Sequence, residues 1–352
     1  MTDLAFGLGL WQGLAFADLA GLGSHAERLG YASVWYANHK LYRDMVVGLT
    51  VLATATSRIR LGTFVAEPYS LHPALTAAAV ASLDEVSNGR MLLGLGTGGA
   101  NFAELGLQRH RPARAMAESI ELMRRLLAGE RLTYHGEVFS VTDAWLHLPP
   151  RPNVPIVLAT RGDLVLQVAG RLADGVMLST YATPRGQQHA RAMVARGAEQ
   201  AGRRLEDVHQ IIRVDLAVDA DPAAARAQVK PMIASSLMNS YPDRRFVEQV
   251  GLELTPELEQ MCRAKNEAEA FASGHLVPDA FVREFAWAGT PEQIAAQIAP
   301  IVELGIRDIV VMPHPLDRDP RPTIDTFARQ VVPRLEALFG RGPTRTELRG
   351  AH

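Results

Sequence analysis

Short apolar runs alternate with longer amphipathic segments from one end of the chain to the other. A short apolar run between turn signals reads as a strand buried on both faces, and an apolar period of 3.6 residues reads as a helix packed against it. Eight runs fit the strand pattern: 4–11, 33–38, 59–67, 90–98, 155–160, 175–180, 209–219 and 308–315. Helical periodicity follows each of them. Repeated βα units imply a parallel sheet, and eight in succession favour a closed (β/α)8 TIM barrel over an open sheet, because closure removes both edge strands. Two insertions interrupt the alternation. Residues 131–154 read as a short hairpin with a Pro-rich exit, and nearly ninety residues separate the last two strands, with helical periodicity at 221–237, 244–251 and 256–272. Insertions of that length serve barrels as lids, oligomer contacts or substrate walls. The reading is one barrel domain over 1–340 and a flexible tail over 341–352.

Composition narrows the class. The chain has 352 residues, 47% hydrophobic and 21% charged, which supports a large core and excludes disorder. A formal charge of −2 advertises neither nucleic acid nor an anionic membrane as a partner. The stretch 6–17 is apolar, but no Lys or Arg precedes it and Asp3 does, so it reads as strand and loop rather than a secretory signal. No run reaches the roughly 18 apolar residues of a membrane helix. One cysteine, Cys262, permits no internal disulfide, and a cytoplasmic location is expected. The 11 histidines fall without metal-ligand spacing, and no nucleophile elbow or phosphate-loop lysine occurs.

In a barrel, chemistry belongs at the C-terminal ends of the strands. Those ends hold Trp11 and Gln12, Asn38 and His39, the segment 64–69, the segment 97–101, 160–162, 179–181, 215–219 and 313–317. His39 follows its strand directly, where an imidazole can act as acid, base or hydrogen-bond donor, or can simply cap a loop. Gly94-Leu95-Gly96-Thr97-Gly98-Gly99 satisfies G-x-G-x-x-G but is not followed at once by a helix, so it reads as a strand-to-loop turn rather than a dinucleotide fingerprint. Thr160-Arg161-Gly162-Asp163 joins a strand to a helix, a geometry that either holds a phosphate or forms an ordinary turn with Asp163 as cap.

The blocks SVWYANHK, LGTFVAEPYSLHPALTAAAVASLDEVSNGRMLLGLGTGG, VPIVLATRGDLVLQVAGRLADGVML and GTPEQIAAQIAPIVELGI resemble the bacterial luciferase-like superfamily, barrel oxidoreductases that use reduced flavin mononucleotide (FMN) or the deazaflavin coenzyme F420. The later half, with SSLMNSYPDRRFVEQVGL and FAWAGTPEQI, is most similar to the F420-dependent methylenetetrahydromethanopterin reductases. The resemblance implies a hydride transfer between F420 and a small organic substrate. It places the ring edge near Asn38 and His39, with a bulge and a non-prolyl cis peptide at Phe64-Val65 behind the ring, and Ala66 and Gly98 beside it. His39, Glu67, Tyr69 and His72 are the candidates to reach the ring face or supply the partnering proton, with His314 a further one from the far side. Thr160, Arg161, Gly162, Ser179 and Thr180 are the candidates to hold the cofactor phosphate. Two carboxylates used by such relatives are replaced, at Gly9 and at Gly99, so neither relative's substrate carries over. An FMN-dependent monooxygenase and a non-catalytic ligand-binding barrel stand as alternatives. Relatives commonly dimerise through helices near strands two to four, and a homodimer is expected here, where residues 74–83 offer a small-residue helix face.

Overall fold

The computed structural model describes residues 4–99, 101–179, 181–316 and 318–340, so the expected tail lies outside the described residues. Strands β1 (Ala5–Leu10), β2 (Ser33–Ala37), β3 (Arg60–Phe64) and β4 (Met91–Leu95) come first, followed by β5 (Leu132–His135), β6 (Ser140–Ala144), β7 (Ile156–Thr160) and β8 (Gly175–Ser179). The long β9 (His209–Val218), then β10 (Ala286–Gly289) and β11 (Asp308–Pro313) complete the set. Eight of them run in the order β9-β11-β1-β2-β3-β4-β7-β8, and β8 pairs back onto β9, closing the sheet as a TIM barrel. All eight strands expected from the hydrophobic pattern are present. The antiparallel β5–β6 hairpin forms the first insertion.

One strand escaped the pattern. Ala286–Gly289 pairs in parallel with the second half of β9, from Asp215 to Val218. Two alanines, a tryptophan and a glycine over four residues carry no alternation that a sequence window can detect.

Helices α1 (Phe16–Arg28), α2 (Met45–Ala55), α3 (Pro73–Val86), α4 (Pro112–Leu127), α5 (Asp163–Leu172) and α6 (Pro184–Gln200) follow successive strands, and α7 (Pro222–Ser240) opens the long insertion. Side-chain caps fix several starts: Asp44 accepts from Val47 N at the head of α2, and Asp221 accepts from Ala223 N at the head of α7. Among the described residues, no helix is long and apolar enough to cross a membrane, and no group of three or more His, Cys, Asp or Glu could hold a metal ion.

The chain divides into two compact units. One contains Gly7–Met177 and Arg191–Ile211. At its centre Trp35 is fully buried and donates Nε1–H to Ser33 Oγ at 3.0 Å. A Cβ on Gly62 of β3 would overlap the indole, and one on Gly94 of β4, one strand further, would lie 3.0 Å from it, so both strands present glycine to the ring. Carboxylates lock the loops of this unit. Glu27 accepts from the backbone N–H groups of Ser57, Arg58 and Ile59, and Asp84 accepts from Met91 N and pairs with both ends of the Arg151 guanidinium. Glu118 likewise collects the N–H groups of Glu137, Val138 and Phe139, holding the turn of the hairpin.

The other unit contains Leu178–Ala190 and the residues from Ile212 onward. Its insertion is a folded element with its own core, built by Val229, Ile233 and Leu237 of α7 against Phe246, Phe281 and Phe285. Tyr181 is buried in that core and donates its hydroxyl to Phe246 O at 3.1 Å, while Trp287 donates Nε1–H to Ala182 O at 3.0 Å. These two polar anchors fix the apolar cluster in one arrangement.

The Glu27 anchor gives a pH-dependent prediction. Burial alone would raise its pKa, but the three N–H groups and the Ser57 hydroxyl outweigh it and lower the pKa to about 2. A lowered folded value means stability that is complete above the unfolded value and lost as pH falls from about 4.5 toward 2. We expect Glu27→Ala to cost about 1 to 2 kcal/mol at neutral pH, partial solvent exposure keeping it below a fully buried site. Denaturant unfolding at pH 7 and pH 3 should show the gap from the wild type narrowing in acid, and a gap that stays constant refutes the linkage.

Candidate functional site

The site begins where β3 ends. The Phe64-Val65 peptide is cis, at the position the resemblance implied. Hydrogen bonds from both neighbouring strands hold the bulge that follows. Asn38 donates its backbone N–H to Phe64 O at 3.0 Å and its side-chain Nδ2 to Val65 O at 3.1 Å. Ala66 N donates to Gly94 O at 2.9 Å, and Gly96 N donates to Ala66 O at 3.0 Å. The glycines have packing reasons: a Cβ on Gly94 would overlap Thr63 O, one on Gly96 would meet Val65 Cγ2 at 2.8 Å, and one on Gly98 would meet Glu67 Cγ at 2.9 Å. Gly98 also sits at φ +62°, a region that favours glycine. The G-x-G-x-x-G segment therefore serves close approach of two strands.

Above the bulge, residues change from buried to half-buried at successive strand ends, at Trp11, Asn38, His39, Phe64, Val65 and 97–99. Together they form a half-exposed cradle with an apolar floor. The His39 ring lies against Trp11, with centroids 4.0 Å apart, and Tyr42 packs edge-on to both. Gln12 is buried; its Oε1 accepts from His39 N at 2.5 Å and its Nε2 donates to Arg43 O. Arg43 in turn donates to Gly13 O at 2.9 Å. The imidazole is thus held between two aromatic rings, on a backbone pinned by Gln12.

A second group surrounds Glu67, whose side chain is 1% exposed. Its carboxylate accepts from Tyr69 N at 2.8 Å, Ser70 N at 3.2 Å and the Ser70 hydroxyl, and it lies 3.5 Å from Lys40 Nζ. With those oxygens so engaged, Glu67 organises the loop. Lys40, the residue after His39, is a buried cation beside the cradle that the sequence reading did not single out. Its ammonium sits 4.2 Å from the Phe102 ring centroid, and its pKa is lowered, by burial first and by Arg109 in addition, with Glu67 opposing. The only available signal was scarcity, since the chain has just three lysines. Tyr69 packs edge-on to Phe102, donates to His110 O at 3.3 Å, and has its pKa pushed up to about 12 chiefly by burial. It is a hydrogen-bond donor at neutral pH.

The remaining candidates are dispersed. His72 is the N-cap of α3, where Nδ1 accepts from Ala74 N at 3.2 Å and the ring packs edge-on to Phe139. Thr160 Oγ1 accepts from Gly162 N at 3.2 Å, and Gly162, not Asp163, is the N-cap of α5, which therefore starts without a side-chain cap. Asp163 instead occupies the first turn. Ser179 ends β8 in the other unit, and Thr180 lies outside the described residues. In that other unit His314 is 2% exposed, its Nε2 2.8 Å from Asp215 Oδ1, and Asp215 also receives both ends of Arg213 at 2.9 and 3.0 Å. A small cavity lies behind the bulge, lined by Met45, Thr63, Ala66, Glu67, Thr76 and Val80 among others, and Asn38 borders both it and the cradle.

Removing the Glu67 charge tests this electrostatic arrangement. We expect Glu67→Gln to destabilise the fold by about 3 kcal/mol, because the buried Lys40 ammonium loses its counter-charge. An unpaired buried ammonium depresses its own folded pKa, so the penalty is complete at neutral pH and fades as pH rises toward the ordinary lysine value of about 10.4. Thermal melts of wild type and variant at pH 7 and 9.5 should converge at the higher pH. A pH-independent gap would show that Lys40 does not depend on Glu67.

Comparison with known proteins agrees with this geometry. The family model described as luciferase-like monooxygenase matches residues 6–308. The 5,10-methylenetetrahydromethanopterin reductase of Methanolobus tindarius is 31% identical over 87% of this chain and 93% of its own. The F420-dependent glucose-6-phosphate dehydrogenase of Nakamurella multipartita is 29% identical over 93% of this chain and 94% of its own. The solved coenzyme F420-dependent tetrahydromethanopterin reductase of Methanopyrus kandleri superposes with a TM-score of 0.84 at 26% identity, covering 95% of this chain and 99% of that one. The chain therefore belongs to the luciferase-like monooxygenase family, as an oxidoreductase related to F420-dependent enzymes.

Proposed function

We propose that this protein binds coenzyme F420 and catalyses hydride transfer between C5 of the deazaflavin and an unsaturated carbon or imine of a small organic substrate. The observation that carries the reading is the cradle formed by Trp11, His39, Phe64, Val65 and the glycine segment. A flat, largely apolar ring system needs an apolar floor and a polar edge, and Val65 and the pair Asn38 and His39 supply these in turn. When bound, the deazaflavin supplies the hydride chemistry and the protein supplies orientation and electrostatics. Trp11 and Val65 exclude water from the ring face. His39, held by Trp11 and Gln12, holds or passes the proton that partners the hydride. The uncapped start of α5, with Arg161 beside it, offers N–H groups and a positive charge to the cofactor phosphate.

A side-by-side fluorescence titration with F420 and FMN tests the cofactor. F420 should bind at least tenfold more tightly, and tight FMN binding with none for F420 would favour the monooxygenase alternative. Turnover should then be sought with reduced F420 against imines and enones, and with F420 against secondary alcohols and sugar phosphates. His39→Ala should lower turnover by roughly 10² while cofactor affinity is retained. Arg161→Ala should weaken F420 binding by roughly ten- to a hundredfold and leave turnover at saturating cofactor nearly unchanged. Unchanged affinity in that variant would place the phosphate elsewhere.

We also propose a homodimer. Leu41, Val47, Leu71, Leu75 and Val86 are exposed apolar residues on α2, α3 and the loops before them, which is more than isolated surface leucines require. Leu75→Glu should convert a dimer to a monomer in light scattering, whereas a monomeric wild type would refute this.

A further inference from the structure

We propose that Gln12 and Arg43 are positioning residues, which latch the loops after β1 and β2 to each other and so set the orientation of the His39 imidazole. The proposal rests on the reading above, that His39 handles the proton in the cradle.

The latch is reciprocal. Gln12, 1% exposed, accepts from His39 N at 2.5 Å and donates Nε2–H to Arg43 O. In return the Arg43 guanidinium donates to Gln12 O at 3.2 Å and to Gly13 O at 2.9 Å. Each side chain thus holds the backbone of the other's loop. The partners also dictate the chemistry of position 12. A backbone N–H only donates and a backbone carbonyl only accepts, so the side chain between them needs one acceptor and one donor, and a glutamine amide carries both. A buried amide with both ends engaged favours a single arrangement of the two loops.

What the latch encloses is the imidazole. Trp11 precedes Gln12 and Tyr42 precedes Arg43, and these two rings wall His39, with centroids 4.0 and 5.9 Å from its own. Fixing the Gln12 and Arg43 backbones therefore fixes both walls. The turn that carries His39 is also strained. Tyr42 N donates to His39 O at 3.0 Å, and Lys40 inside that turn has φ +34°, a region that a side chain makes costly. Such a backbone persists only where the contacts around it over-determine it. The ion pair with Glu67 holds the Lys40 side chain, and Asp44 fixes the far end of the segment by accepting from Val47 N at 3.0 Å. Gln12 supplies the remaining hold, on His39 N and Arg43 O, one on each side of the strained residue. With the latch open, the turn relaxes and the imidazole leaves the Trp11 face.

Histidine NMR tests the latch without a substrate. Wild type, Gln12→Met, Arg43→Ala and the double variant are isotope-labelled at histidine Cε1, and the His39 signal is assigned by its loss in His39→Ala. Each protein is recorded alone and saturated with F420, alongside thermal melts and F420 affinities from fluorescence. Gln12→Met keeps the length of the side chain and loses both amide bonds, and Arg43→Ala removes an exposed side chain, so both should fold. In the wild type the Trp11 ring current should displace the His39 Cε1–H signal from the ordinary histidine position. Each single variant should lose at least half of that displacement while binding F420 with wild-type affinity. The loss in the double variant should fall short of the sum of the two, as for residues that share one network. Added F420 should move the His39 signal of the wild type, and move it less than half as far in Gln12→Met. A His39 signal that is undisplaced in the wild type, or that keeps its wild-type position in the variants whatever their melts show, overturns the proposal. Additive losses overturn it as well, since the two contacts then act separately. If Gln12→Met fails to fold, Arg43→Ala decides alone. F420 that does not bind the wild type, or binds without moving the His39 signal, refutes the reading of the cradle instead, and the cofactor-free spectra still decide the latch.

Discussion

The close approach of the bulge after β3 to the backbone of β4 is the constraint on which the rest of the site depends. Thr63 O comes near enough to Gly94 that no Cβ fits, Thr63 Oγ1 donates to Gly94 O at 2.7 Å, and Ala66 N donates to the same carbonyl. That contact fixes where the chain leaves β3. Everything after it is consequent: Val65 is turned over Gly96, Asn38 is drawn onto Val65 O, and Glu67 is buried beside Lys40. Replacing either glycine by alanine sets backbone or side-chain atoms against a Cβ, and a packed core has no slack to absorb the overlap.

Carboxylates in this protein mostly hold loops. Glu27, Glu67, Asp84 and Glu118 each gather backbone N–H groups, and all but Glu27 also face a Lys or Arg side chain.

In the other unit, the Arg213–Asp215–His314 array joins both side chains to one carboxylate and is nearly sealed from water. Burial would raise the Asp215 pKa, but Arg213 and His314 outweigh it, and the carboxyl is held below its ordinary range. Thr323 donates to His314 O at 3.1 Å, and His314 N donates to Leu216 O at 2.8 Å, so the imidazole is fixed in backbone as well as ring. Such a network favours one arrangement of β9 and the segment after β11, since separating Arg213 from Asp215 leaves a buried charge unmatched and removing His314 costs a buried hydrogen bond.

The sequence by itself determined the eight-stranded alternation, the hairpin and the helical insertion, because burial imposes apolar runs and periods that a short window can read; the position of the bulge came from the family resemblance alone. It also marked Asn38 and His39 as strand-end residues. Only the tertiary structure decided what each polar group does. His72 became a helix cap and Glu67 a loop anchor, and Lys40, unmarked by any motif, acquired its place between Glu67 and Phe102. Likewise Arg109 is one of many arginines in the sequence and meets Gly99 only through the path of the loop after β4. Secondary structure follows from local periodicity. A site depends on which donors reach which acceptors across segments tens of residues apart, and that is settled only when the chain closes on itself.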